Sequence, residues 1–193
     1  MKVLVIVDMQ NDFLYGPLGT PEAQAIIPVM VERLKEYEQE QPLVLFTKDT
    51  HYCNYSYTQE GKSLPIPHCI EGTPGWSICK DISSVVDRNP NFYFYSDSDI
   101  VRSRIYKNTF GSLRLAELLQ NHKDQLDEII FMGVCTDICV VSNALLVKAS
   151  CPEVKITVDA SCCAGTTSEN HQAALQVMKC CQINVIGEQN EQQ

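Results

Sequence analysis

The sequence lacks any long apolar run near its start: Val3–Val7 is closed at once by Asp8. Five residues are too few for an export core and far too few to cross a bilayer, so a cytoplasmic location without membrane contact is expected. Positive charge is also scarce. Lys and Arg number 15 against 24 Asp and Glu, a formal charge of −9. Nucleic acid and anionic membrane both require clustered basic residues, and neither fits such a surface. No GxGxxG follows the first apolar run and no GxxxxGK[ST] occurs, which removes dinucleotide and phosphate-loop sites. No CxxC is matched by a second pair of Cys or His, which removes a zinc finger. There is no internal repeat, and the only low-complexity stretch is the polar end GEQNEQQ.

Cysteine, by contrast, is abundant. There are ten, including the adjacent pairs Cys162–Cys163 and Cys180–Cys181. A chain of 193 residues needs no disulfide framework, so most of these are expected to be reduced and to pack as small buried hydrophobes. With 45% hydrophobic residues the chain can bury one sizeable core. A single domain is expected over 1–187, with 188–193 as a polar tail.

Apolar runs alternate with helical patterns. VLVIV (Val3–Val7), PLVLFT (Pro42–Thr47), FYFYS (Phe92–Ser96), EIIFMG (Glu128–Gly133), VKITVDA (Val154–Ala160) and the closing INVIG read as strands. Helical spacing runs through Pro21–Glu40, Ser112–His122, Asp137–Ala149 and Ser168–Cys181, with Ser168 placed as an N-cap and Pro28 placed to kink the first helix. The alternation predicts an α/β fold of three layers, α/β/α, around a mostly parallel sheet. In such sheets sites collect at the carboxyl ends of strands. Asp8 lies at one such end, Lys48, Asp49 and His51 at a second, and Cys135 and Cys139 at a third.

The CxxxC pair raises the question of which thiol reacts. A helix starting near Thr136 puts Cys139 in its first turn, where unpaired backbone N–H groups lower a thiol pKa and can also hold an oxyanion. Cys135 precedes the helix and offers its backbone N–H more readily than its sulfur. On this geometry Cys139 is favoured, with plain packing roles for both as the alternative. Asp49 and His51 stand two apart, and His68 follows a polar, aromatic loop. Mixed imidazole and carboxylate donors suit Zn²⁺, Fe²⁺ or Mn²⁺.

Three stretches, VDMQNDF (Val7–Phe13), KNTFGS (Lys107–Ser112) and GVCTDICVVSNA (Gly133–Ala144), together resemble the isochorismatase-like cysteine hydrolases. The resemblance spans nearly the whole chain in order. It implies a catalytic triad of Asp8, Lys107 and Cys139. It also implies a cis peptide at Val134–Cys135 and an oxyanion hole made by the backbone N–H groups of Cys135 and Cys139. The segment Lys48–Trp76 further resembles the nicotinamidase branch of that family, whose DxH and PxHC motifs bind a divalent metal, zinc first. Carried over, the ligands are Asp49, His51 and His68, with Glu60 as the fourth. The resemblance implies a small amide substrate, pocket walls at Phe13 and Tyr106, and a homo-oligomer. Leu64 stands where many members carry tryptophan.

The activity so implied is metal-dependent hydrolysis of nicotinamide through a Cys thioester. Hydrolysis of another small amide, as by a carbamoyl hydrolase of the same family, is the alternative. A non-catalytic thiol or metal binder is the reading from a different class.

Overall fold

A computed structural model describes residues 1–97 and 103–188. The elements run β1 (Lys2–Val7), α1 (Asn11–Leu14), α2 (Pro21–Tyr37), β2 (Leu43–Asp49), α3 (Gln59–Ser63), α4 (Lys80–Arg88), β3 (Tyr93–Phe94) and β4 (Arg104–Lys107). After them come α5 (Leu113–Asn121), β5 (Glu128–Val134), α6 (Val141–Ser150), β6 (Lys155–Ala164), α7 (Ser168–Cys180) and β7 (Asn184–Ile186). The seven strands form one sheet in the order β3-β2-β1-β5-β6-β7, with β4 also paired to β2. All these pairings are parallel.

Strand periodicity divides the core. Val3, Val5 and Val7 of β1 face a cluster with Leu115, Ala144 and Leu175 from α5, α6 and α7. Leu4 and Ile6 face the opposite cluster with Ile26, Met30, Ile82 and Val86 from α2 and α4. Burial on both faces explains why β1 reads as an unbroken apolar run rather than an alternation. The expected three-layer architecture is the one found.

Several boundaries differ from expectation, each for a local reason. The first helix ends at Tyr37; a 3₁₀ turn occupies Glu38–Glu40 and Gln41 takes a left-handed φ of 50°. Pro28 sits inside that helix. Helix α7 is capped by Thr167, not Ser168: the Thr167 hydroxyl accepts the N–H of Asn170 at 3.1 Å. The strand expected over Phe92–Ser96 shrinks to Tyr93–Phe94, and that expected to end at Ala160 runs on to Ala164. Four elements had gone unread: α1, α3, α4 and β4. β4 is four residues long and half polar, so it carries little periodic signal. Residues 189–193 of the expected tail lie outside the described residues.

β4 matters most for the site. It pairs with β2 so that Lys107 stands opposite Asp49. One strand further in, Asp8 follows β1 with a left-handed φ of 49°. Beside it, β5 approaches β1 so closely that only glycine fits at Gly133. A Cβ there would lie 2.1 Å from the carbonyl oxygen of Val7, and its φ is +129°. Three strand ends therefore converge, as the parallel sheet requires.

Candidate active site

The Asp8 carboxylate is fully buried and its Oδ2 lies 2.6 Å from the Lys107 ammonium. The same ammonium is 3.5 Å from Cys139 Sγ and 3.5 Å from Asp49 Oδ1. Thr47 donates its hydroxyl to Asp8 Oδ1 at 2.7 Å, fixing the carboxylate plane. Carboxylate, ammonium and sulfur thus meet. Burial pushes the Asp8 carboxyl above the usual carboxylate range, with Lys107 opposing. Burial likewise pushes the Cys139 thiol well up, again against the pull of Lys107. Lys107 also suffers burial, yet Asp8, Cys139 and Asp49 hold its pKa above that of a free lysine, so it stays charged. A carboxylate and a thiol that both favour the protonated form, beside a fixed cation, are suited to pass one proton between them.

Cys139 does not begin an ordinary α-helix. Thr136–Val140 forms a wider π-type turn, and α6 starts only at Val141. The peptide joining Val134 to Cys135 is cis. The N–H groups of Ile138 and Val140 both donate to the Cys135 carbonyl, at 3.1 and 3.0 Å. The Cys135 thiol is pushed up to about 12, chiefly by burial and then by Asp137; it is Cys139, not Cys135, whose sulfur lies 3.5 Å from the Lys107 ammonium.

Next to this cluster, ligand atoms of Asp49, His51, Glu60 and His68 all lie within 4.8 Å of one another. Asp49 Oδ2 is 3.0 Å from His51 Nε2 and 3.4 Å from His68 Nε2. Glu60 Oε1 is 3.5 and 3.7 Å from the same two nitrogens. A tetrahedral ion with bonds of about 2.1 Å has ligand–ligand edges of roughly 3.4 Å, so the four atoms already outline its shell. His51 Nε2 is buried without a hydrogen-bond partner. His68 Nδ1 is 2.8 Å from the Ile66 carbonyl, which accepts its N–H and so, in the neutral imidazole, leaves the Nε2 lone pair to face the group. Burial opposes ionisation of Asp49, but the two imidazoles and Lys107 hold its pKa far below the usual range. The donor set fits a divalent ion.

A cavity of about 350 Å³ connects the two clusters. Cys139, Cys135, Asp49, Glu60, His68, Phe13 and Leu64 all line it. Tyr106 does not, and this corrects its expected role as a wall. It precedes Lys107 in β4, so strand alternation sends it to the other face. There it packs against Trp76, ring centroids 5.5 Å apart, while Lys48 lies over the same indole. In its place Phe110 lines the cavity, from within the KNTFGS stretch already singled out.

Gln10 and Asp12 had also been passed over. Gln10 donates to the carbonyls of Asp49 and Trp76, both at 2.9 Å, and accepts the Asp49 N–H at 2.7 Å. Asp12 Oδ2 accepts the Cys69 N–H at 2.7 Å, next to His68. Three consecutive polar residues soon after a buried strand were the available signal: Gln10, Asn11 and Asp12 all tie down the loop that carries His68 or its continuation. All ten cysteines are free, seven of them away from the surface.

The isochorismatase domain model matches residues 2–189. The chain is 26% identical to the nicotinamidase of Schizosaccharomyces pombe over 213 aligned residues, covering 97% of this chain and 93% of that protein. It is 27% identical to the nicotinamidase/pyrazinamidase of Mycobacterium tuberculosis, covering 96% and 98%. Among solved structures, the pyrazinamidase of Pyrococcus horikoshii in complex with zinc superposes with a TM-score of 0.73 at 24% identity, covering 97% and 99%. With a family model spanning almost the entire chain, and the fold to match, this protein belongs to the isochorismatase family.

Proposed function

We propose that the protein is a metal-dependent nicotinamidase, hydrolysing nicotinamide to nicotinate and ammonia. The observation that carries this reading is one cavity lined by Cys139, which Lys107 contacts, and by Asp49, Glu60 and His68 of the four-donor group. The S. pombe and M. tuberculosis relatives are named for this activity, and the P. horikoshii structure holds zinc.

Asp8 takes the thiol proton of Cys139 as its sulfur attacks the amide carbon. Lys107 offsets the negative charge on sulfur, and the backbone N–H groups of Cys135 and Cys139 receive the developing oxyanion. Asp8 then returns the proton to the departing ammonia. A water molecule, activated by the same carboxylate, cleaves the thioester and frees the acid. Asp49, His51, Glu60 and His68 would hold a divalent ion, which would supply Lewis-acid chemistry at the cavity wall. Phe13, Leu64 and Phe110 provide apolar walls for a flat ring and exclude bulk water.

The test is ammonia release from nicotinamide with Zn²⁺, Mn²⁺ or Fe²⁺ supplied, against Cys139→Ala. Release no greater than from that variant removes the proposal. Leu64, an aliphatic wall where a stacking aromatic is common in the family, favours a second reading: a different small amide. A panel of aliphatic and carbamoyl amides turned over faster than nicotinamide would select it.

A further inference from the structure

Two polar tethers pin the turn carrying Cys135 and Cys139 to the start of α7. Thr136 is fully buried, and its hydroxyl oxygen is 2.8 Å from His171 Nδ1. Asp137 Oδ1 accepts the Thr166 N–H at 2.8 Å, and its Oδ2 accepts the Thr166 hydroxyl. Asn170 in turn donates to Thr166 Oγ1 at 2.9 Å. The surfaces meet closely at Gly165, where a Cβ would lie 2.8 Å from His171 Cβ and 3.0 Å from Asp137 Oδ1. Gly165 and Thr166 themselves form cavity wall beside Cys139.

The turn needs such external support. It has no side-chain cap of its own, and a π-type turn is a local departure from the stable helical ladder. Helix α7 is a sound anchor: it is 13 residues long and capped by Thr167. His171 is partly buried, and burial lowers its pKa, which favours the uncharged imidazole in this contact. The titratable groups that act on it are Asp137 and Glu188.

We propose that His171 is a positioning residue for the hydrolysis, acting through Thr136 to hold the turn that aims Cys139 Sγ and the Cys135 N–H into the cavity. The proposal rests on the amide hydrolysis at Cys139 set out above. It concerns a residue outside the stretches that carry the family resemblance.

The experiment is a double-mutant cycle on the metal-loaded protein, using Thr136→Val, His171→Ala and both together, with His171→Asn as the conservative variant. Small displacements of reacting groups cost up to ~10²-fold, so kcat should fall roughly tenfold in each single variant, with KM within about twofold. The double variant should be no worse than either single one, because both remove the same tether. Asparagine, whose amide reaches the position of Nδ1, should restore most of the rate. Alkylation of Cys139 by iodoacetamide, followed by mass spectrometry of its peptide across pH, should slow in step with kcat. That readout needs no substrate, so it still decides if nicotinamide is not hydrolysed. Melting curves identify any variant that fails to fold, and Thr136→Val, nearly isosteric, then decides alone. Unchanged kcat and alkylation in a folded Thr136→Val or His171→Ala overturns the proposal. So do additive losses that asparagine does not repair.

Discussion

Lys107→Met keeps the length of the side chain and removes its charge. The ammonium lies 2.6 Å from Asp8 Oδ2 and 3.5 Å from Cys139 Sγ, at 2% side-chain exposure. At an effective dielectric of about 20, unit charges at those separations interact by ~6 and ~5 kcal/mol. The second figure bears on the thiolate, and its loss should slow ammonia release by roughly 10³-fold. The first bears on stability, where breaking a buried pair typically costs ~3–5 kcal/mol. The cost depends on pH in a defined direction. Burial already raises the Asp8 carboxyl, and Lys107 pulls it down; without the cation it rises further. An acid raised in the folded state binds a proton that the unfolded chain, with its pKa near 3.9, has released. Folded stability of the variant therefore falls as pH climbs toward that raised value. The deficit relative to wild type should be smaller at pH 5 than at pH 7. Urea unfolding followed by fluorescence of Trp76, the only tryptophan, measures it at both pH values. An equal deficit at the two pH values, or ammonia release within tenfold of wild type, would refute the electrostatic reasoning.

Gly133→Ala should be among the most destabilising single-methyl changes in the chain, because a Cβ there meets the Val7 carbonyl at 2.1 Å at a φ of +129°. A loss of ~3 kcal/mol or more is expected from such overpacking and strain, and a melting temperature within a few degrees of wild type contradicts it. His51→Ala should lower zinc affinity at least ~10²-fold, and Glu60→Gln by less, since the carboxamide still offers an oxygen. Equilibrium dialysis with metal analysis ranks the two, and a reversed order would remove Glu60 from the expected role of weaker ligand. At Glu128, burial opposes ionisation, but Lys155 at 2.8 Å and the Thr157 hydroxyl at 2.7 Å hold its pKa below the usual value. Its stabilising effect is thus present at neutral pH and lost as pH falls through the lowered folded value. Glu128→Gln should cost ~1 kcal/mol or less at pH 7 and progressively less below pH 4, as urea midpoints at the two pH values will reveal.

The strand–helix alternation, the buried β1 and the motif-bearing strand ends were legible because each is written in local periodicity or in contiguous residues. VLVIV can only be a strand covered on both faces, and Asp8 must then emerge at its carboxyl end. The candidate triad and the candidate ligands Asp49, His51 and His68 could be named through the family resemblance, because each motif holds its residues within a few positions. Distance in the sequence hid the rest. Lys107 reaches Asp8 through β4, a strand of four residues whose pairing with β2 no local pattern announces. Tyr106 sits beside Lys107 in sequence but opposite it in space, since neighbours on a strand face opposite sides. The Thr136–His171 contact joins residues 35 positions apart, and the donor atoms around His51 converge from a strand end, a short helix and a loop. The sequence by itself determined which chemical groups were available and which strand ends would carry them. Only tertiary structure decided which of those groups share a cavity, because hydrogen bonding between strands and packing between layers set distances that chain order does not encode.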